Sequence, residues 1–173
     1  MRKRILIIVT LVAVFVASFV ILYKQFSNET KAMTRTVYTA DTVIKQTITL
    51  DELPEFSKNN PGEHVFFLTD CGTDSTYIID SILTPLSVEQ AERPTPDIIA
   101  IDLAASSNIT VTRLKNVFGV DTYPAFIKAS FDSSKNTLTN TGSITHGNKK
   151  PMTVKNLKAW FFNNQLWKGP YVE

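Results

Sequence analysis

Residues 64–75 read HVFFLTDCGTDS, and this stretch decides the fold. Val65 to Leu68 is an unbroken apolar run, which is typical of a strand buried on both faces. The run ends in a turn that contains Cys71, the one cysteine of the 173-residue chain, and a helix-like segment from Thr73 to Leu83 follows. A cysteine between a buried strand and a helix start lies where backbone N–H groups and the helix dipole favour a thiolate. The stretch therefore predicts a strand–turn–helix unit with a candidate nucleophile.

The pattern on either side of this unit predicts an alternation of strands and helices. Ile98 to Ile101 is a second apolar run, which ends at Asp102, and the segments Ala125–Phe131 and Leu138–Ile144 flank a polar turn. Thr36 to Ile48 is rich in Thr and Val, which predicts one or two strands at a sheet edge. The predicted order is therefore β-α-β-α-β-α-β-β-α, a mixed sheet whose last hairpin is antiparallel.

Helix boundaries are predicted from capping and breaking residues. Asp51 is the predicted cap of the helix before residue 64, and Ser106 to Asn108 supplies the predicted cap of a later helix. Pro85 is expected to end or kink the helix that begins at Thr73, because proline has no backbone N–H. The last helix is predicted over Val154 to Trp167.

The N-terminal segment predicts a membrane anchor. Ile5 to Tyr23 is a run of 19 residues without a charge, which as a helix would span roughly 28 Å, about the thickness of a bilayer core. Arg2, Lys3 and Arg4 precede the run and Lys24 follows it, which predicts a cytoplasmic N-terminus and an exported domain. A cleavable signal peptide is the alternative, but its apolar core is usually about 7–15 residues long and ends at small residues.

These features divide the chain into four parts. Residues 1–4 are a basic cytoplasmic end, residues 5–23 the transmembrane anchor, residues 24–47 a tether with an edge strand, and residues 48–173 a folded domain. We expect a single-pass protein of a plasma membrane with its domain outside the cytoplasm. A single anchor with basic residues on its inner side fits a bacterial plasma membrane.

Composition excludes several functions. Without Arg2, Lys3 and Arg4 the chain carries 15 basic and 16 acidic residues, a net charge of −1, so the sequence does not support nucleic-acid binding. His64 and His146 lie far apart without a cluster of acids or cysteines, so no metal site is predicted. No cofactor is predicted either. One cysteine cannot form an internal disulfide, so the thiol is buried and inert, reactive, or paired with another chain.

From residue 48 to residue 167 the chain resembles the thioredoxin family. Residues 71–74, CGTD, resemble the family's CGxC turn between a strand and a helix, and Ile99 to Asp102 resembles the next central strand with its terminal acid. Residues 118–126, FGVDTYPAF, resemble the segment whose proline is cis and faces the active-site sulfur. The resemblance implies an α/β, thioredoxin-like mixed sheet covered by helices on both faces, preceded here by one N-terminal transmembrane helix. It also implies a cis bond before Pro124.

Four residues depart from the family pattern. Asp74 replaces the second cysteine, so dithiol exchange cannot run within this chain. Asp70 stands where the family has a tryptophan, and Val65 stands where the family has a buried acid that assists proton transfer. Ile98 replaces a lysine. The resemblance therefore leaves a candidate nucleophile and a candidate cis proline without the family's groups for proton transfer.

The resemblance places one group of site residues around the cysteine. Cys71 and Asp74 occupy the catalytic positions, and Asp70, Gly72 and Thr73 complete the active-site turn. The helix start favours a thiolate, whereas the neighbouring carboxylates oppose it because they add like charge. The sequence leaves open which effect prevails, so the cysteine is either a working monothiol or a relic at a turn.

The second group is Tyr123 and Pro124. By resemblance, the backbone beside the cis proline pairs with an extended client chain, which binds like an added strand. The implied partners are therefore the membrane and a protein or peptide client, and the oligomeric state is left open.

Two functions follow. The first is a membrane-anchored, extracytoplasmic accessory protein with single-cysteine thiol–disulfide chemistry on client proteins. The second is a redox-inactive, thioredoxin-like binding module in a bacterial cell-surface export or bacteriocin-type system. A slight similarity of residues 71–75 to the CGFS motif of monothiol glutaredoxins fits a cytoplasmic protein and not an exported domain. Whether the protein is an enzyme is left open at this stage.

Overall fold

The apolar run at residues 65–68 lies in the middle strand of a five-stranded sheet, as the sequence predicts. The computed structural model describes residues 44–89, 96–132 and 137–167, together with Ser18. The chain divides into two units, residues 1–40 and residues 41–173, and the fold presented below is that of the second unit.

The predicted membrane anchor, Ile5 to Tyr23, lies outside the described residues apart from Ser18. Residues 24–43, which include most of the predicted tether, also lie outside them. Within the described part of the chain, no helix combines the length and the apolar character that crossing a bilayer requires. The anchor stays a prediction from sequence.

Strands and helices alternate along the described chain in the predicted order. The strands are β1 Ile44–Thr49, β2 Gly62–Thr69, β3 Ile98–Asp102, β4 Ala125–Asp132 and β5 Thr137–Thr145. The helices are α1 Leu53–Asn59, α2 Thr73–Ile78, a π-helical turn Ile79–Leu83, α3 Thr84–Glu89, α4 Val111–Phe118 and α5 Val154–Asn163.

The sheet has the strand order β1-β3-β2-β4-β5. Strands β1, β3 and β2 run parallel, and the register of β2 with β3 extends from Val65 opposite Ile98 to Thr69 opposite Asp102. Strand β4 runs antiparallel to β2, and β5 closes an antiparallel hairpin with β4. This mixed sheet with a terminal hairpin confirms the predicted thioredoxin-like α/β architecture.

Both faces of the sheet are covered, because alternate side chains of its central strands are apolar. On one face Phe66 packs in a buried cluster with Leu114 and Phe118 of α4. On the other face the rings of Phe67 and Phe126 stack with their centroids 4.6 Å apart, and α5 packs over them. The central strands are therefore buried on both sides, which explains their near-continuous apolar sequence.

The helix that begins at Thr73 does not end at Pro85. It widens into the π-helical turn, in which the backbone N–H of Thr84 donates to the carbonyl of Ile79. The Thr84 hydroxyl donates to the same carbonyl at 2.8 Å, and α3 continues to Glu89. The wider turn lets the helical path pass a residue that lacks an N–H donor.

Two predicted helix caps are wrong because their side chains bind elsewhere. Helix α1 has Glu52 at its N-cap without a side-chain cap, while the Asp51 carboxylate accepts from Ser107 and Arg113. Helix α4 is capped by Thr110, whose hydroxyl accepts from the N–H of Arg113. The Ser106 hydroxyl instead accepts from the N–H of Leu50, just after β1, and donates to the carbonyl of Asp102 at the end of β3.

The last helix begins where it was predicted but ends earlier. Thr153 and Asn156 form a reciprocal capping box at its start. Helix α5 ends at Asn163, and Gln165 has a φ of +61°, a left-handed conformation that does not continue a helix. The predicted end at Trp167 is therefore four residues too far along the chain.

Candidate functional site

The cysteine turn and the predicted client-binding residues lie at the same end of the sheet. Leu68, near the end of β2, pairs with Ala125, the first residue of β4. Cys71 follows Leu68 by three residues, and Pro124 directly precedes Ala125. The Tyr123–Pro124 bond is cis, which confirms the prediction for this bond. The strand register therefore assembles the two predicted groups into one candidate site.

Cys71 has an unusual backbone conformation. Its φ is +61°, in the left-handed region that few residues other than glycine adopt. Its backbone N–H donates to the hydroxyl of Thr69 at 2.9 Å, and Thr69 itself is fully buried. The cysteine is half-buried. A buried hydroxyl on β2 thus fixes the turn that presents the cysteine.

The Asp70 carboxylate is built into the same turn. Its Oδ1 accepts from the backbone N–H of Gly72 at 2.9 Å and from the hydroxyl of Ser75 at 3.0 Å. Asp70 is nevertheless exposed. The hydrogen bonds hold a negative charge next in the chain to Cys71, and a like charge disfavours a thiolate.

Gly72 lies close to the Asp70 carboxylate. A Cβ atom at Gly72 would lie 3.0 Å from Oδ1 of Asp70, closer than an ordinary van der Waals contact. The carbonyl of Gly72 also accepts from both the N–H and the hydroxyl of Thr76. A larger residue would require a small shift of the Asp70 carboxylate, which hydrogen-bonds to the turn.

Thr73 and Asp74 begin helix α2 and are exposed. Asp74 lies in the first turn, where the helix dipole favours a carboxylate. In the sequence, one carboxylate residue directly precedes Cys71 (Asp70) and another follows it by three positions (Asp74). No Lys or Arg of the described residues forms an ion pair with either carboxylate.

Tyr123 and Pro124 form the other side of the site. The Tyr123 side chain is 39% exposed, whereas Pro124 is buried. The carbonyl of Pro124 accepts from the backbone N–H of His146 at 2.8 Å. Among the described residues, none hydrogen-bonds to the backbone N–H or C=O of Tyr123. Both backbone groups of Tyr123 are therefore unpaired within the part of the chain that the structure describes.

The sequence did not predict that His146 and Tyr77 lie in contact near the candidate site. The His146 ring lies 6.5 Å from the ring of Tyr77, measured between centroids, and its Nδ1 accepts from the N–H of Met152 at 3.1 Å. The sequence pattern bears on the two histidines only as candidate metal ligands, and it predicts no metal site there. His64 lies on β2 and its Nε2 contacts the carbonyl of Asn60 at 2.7 Å. The signal that could have identified His146 is its position directly after β5, beside the strand that follows the cis proline.

Comparisons with known proteins give one finding on structure. No family model matches the sequence, and no curated protein matches it. Among solved structures, the chain is similar to a thioredoxin of Trichomonas vaginalis, with 14% sequence identity and a TM-score of 0.41. The match covers 72% of this chain and 99% of that chain. The thioredoxin-like fold follows from strand order and register.

Proposed function

We propose that the chain is a membrane-anchored, thioredoxin-like accessory protein that holds an extended segment of a client protein and captures client sulfur through Cys71. One observation carries the proposal. The Tyr123 backbone, without a hydrogen-bond partner among the described residues, lies at the same end of the sheet as the half-buried Cys71.

The Tyr123 backbone supports recognition of an extended segment. A peptide that pairs with its N–H and C=O gains main-chain hydrogen bonds that do not depend on the peptide sequence. The register of β2 with β4 brings such a peptide to the same sheet end as the Cys71 turn. Binding and thiol chemistry therefore share one surface.

Cys71 supports a single exchange step. Its thiolate attacks one sulfur of a client disulfide, the new bond joins Cys71 to that sulfur, and the other client sulfur leaves as a thiolate that takes up a proton from water. The client disulfide is the oxidant in this step. Since the chain has one cysteine, the mixed disulfide is released by the freed client thiol or by a thiol of another protein.

A second candidate function is a redox-inactive binding module in a bacterial cell-surface export or bacteriocin-type system. The position of Asp70 favours this function. Its carboxylate accepts from the N–H of Gly72 and the hydroxyl of Ser75, so the residue before Cys71 in the chain carries an ordered acidic group. Both functions use the Tyr123 backbone, and they differ in whether Cys71 reacts.

Location is part of the proposal. The apolar run Ile5 to Tyr23, with basic residues in front of it, supports a single anchor in a plasma membrane and a domain on the outer side. An exported domain of this size can be stable without a disulfide, so the single cysteine is compatible with this location.

The test uses the full-length protein in detergent micelles and a labelled extended peptide that carries a disulfide. The thiol function predicts a 1:1 mixed disulfide with the wild type and none with Cys71→Ser, while the reduced peptide binds both proteins equally. Equal binding without a mixed disulfide supports the binding module and contradicts the thiol function. Absence of binding to both proteins contradicts both.

A further inference from the structure

A patch of aromatic side chains borders the candidate site. Tyr77 is 49% exposed and Tyr123 is 39% exposed. The ring of Tyr77 contacts that of His146, and His146 is hydrogen-bonded through its backbone to Pro124, the residue after Tyr123. We refer to Tyr77, Tyr123 and His146 as the aromatic patch. Tyr123 joins this patch through its neighbour Pro124, and exposed aromatic residues near a candidate site are typical of a recognition surface.

His146 is held in one orientation within this patch. Its Nδ1 accepts from the backbone N–H of Met152 at 3.1 Å. The backbone of His146 is fixed separately by the carbonyl of Pro124. Two hydrogen bonds thus position the ring beside Tyr77 before any ligand binds.

Asp74 gives the surface a negative charge. It precedes Tyr77 by three residues on α2, a spacing that makes two side chains neighbours on a helix surface, and both are exposed. Asp51 and Asp121 each pair with a basic side chain of the chain itself. Among the described residues, Asp74 and Asp70 have no such ion pair.

Nearby cations do not neutralise this charge. Lys149 and Lys150, in the turn after His146, are exposed. Within the part of the chain that the structure describes, neither forms an ion pair with Asp74. A free carboxylate beside exposed aromatic rings is therefore available to a ligand.

We propose that the aromatic patch and Asp74 bind a basic side chain, such as that of arginine, in the extended client segment. The inference rests on the proposed function, because the Tyr123 backbone holds that segment. A guanidinium stacks on an aromatic face and at the same time pairs with a carboxylate. A neutral side chain lacks both electrostatic contributions, and an acidic one is repelled by Asp74.

The test compares three labelled seven-residue peptides of Thr and Val that carry arginine, methionine or glutamate at the central position. Fluorescence anisotropy with the full-length protein in detergent micelles at low salt gives the three affinities. We expect the arginine peptide to bind about fivefold tighter than the methionine peptide, and the glutamate peptide to bind most weakly.

Variants assign the preference to residues. Asp74→Asn and Tyr77→Leu are each expected to reduce the preference for arginine about threefold, since each removes one of the two contributions. Asp80→Asn is the matched control, because Asp80 is an exposed acid later on the same helical segment, and it should keep the preference. A preference that survives in both site variants overturns the assignment.

The outcomes separate this inference from the proposed function. Equal affinities for the three peptides overturn the preference for a basic side chain, but they leave client binding at Tyr123 intact. Failure of all three peptides to bind overturns the proposed function, and the inference with it.

Discussion

Oδ1 of Asp70 accepts a hydrogen bond from the backbone N–H of Gly72 at 2.9 Å. The two residues flank Cys71, so the turn that presents the sulfur is closed by a carboxylate. The Asp70 carboxylate also accepts from the hydroxyl of Ser75, so it contributes both a charge and two hydrogen bonds to the turn. We therefore expect the reactivity of Cys71 to depend on the charge of Asp70.

Replacing that charge should raise the reactivity of the thiol. We expect Asp70→Asn to increase the alkylation rate of Cys71 at neutral pH about three- to fivefold, because asparagine keeps an oxygen acceptor for Gly72 and removes a nearby like charge. The measurement is the rate with iodoacetamide, and Asp80→Asn is the control for a distant exposed acid. An unchanged rate in Asp70→Asn would show that this carboxylate does not control the thiol.

The hydroxyl of Thr69 should stabilise the cysteine turn. Thr69→Val keeps the side-chain shape but removes the acceptor for the N–H of Cys71, so we expect a loss of about 1–2 kcal/mol in the free energy of unfolding. Thr69→Ser keeps the hydroxyl and should lose less. Denaturant unfolding gives both values, and a serine variant that is less stable than the valine variant would contradict the role of the hydroxyl.

The stability of the fold should depend on glycine at position 119, because the backbone there has a left-handed conformation. Gly119 ends α4 with a φ of +72°, so an alanine there should cost about 1 kcal/mol in the free energy of unfolding. Gly147 is a matched control, because an added Cβ would meet no atom within 4 Å. We expect Gly147→Ala to leave the stability nearly unchanged. Equal losses in the two variants would argue against conformational strain at Gly119.

The Asp51 network should make stability depend on acid pH. The backbone N–H of Ser107, the Arg113 side chain and the Ser107 hydroxyl lower the pKa of Asp51 from its ordinary 3.8 to about 2. A lowered folded-state pKa stabilises the fold above the unfolded value, and this contribution is lost as the pH falls from about 4 to about 2. Asp51→Asn should therefore be less stable than the wild type at pH 7.

The pH profile gives the test of this assignment. Urea unfolding of both proteins at a series of pH values should show a difference that disappears near pH 2. Arg113→Gln should reduce the same difference, since Arg113 pairs with Asp51 at 2.7 Å. A stability difference that does not change with pH would contradict a role for the ionised carboxylate.

The sheet could be predicted from the sequence because its signals are local and strong. The run Val65 to Leu68 has no polar residue, which predicts a central strand, and the order of apolar runs predicts the alternation of elements. The cis bond at Pro124 followed from the family resemblance of its segment. These features depend on residues that are adjacent in the chain.

Features that depend on contacts distant in sequence could not be predicted. Aspartate is a residue type that often caps helices, but the Asp51 carboxylate binds Ser107 and Arg113, more than 50 residues away. The contact of Tyr77 with His146 likewise joins α2 to the end of β5. Tertiary hydrogen bonds override a local capping preference, because only the folded chain brings these partners together.

Hydrogen–deuterium exchange at Tyr123 tests the central claim most directly. The full-length protein in detergent micelles is measured with and without a saturating extended peptide, and exchange is followed in the segment of residues 120–125. The account predicts that exchange in this segment slows when the peptide binds, because the N–H of Tyr123 gains a partner, while exchange in Val111–Phe118 stays the same. A bound peptide that leaves exchange in the segment unchanged would contradict strand addition at Tyr123.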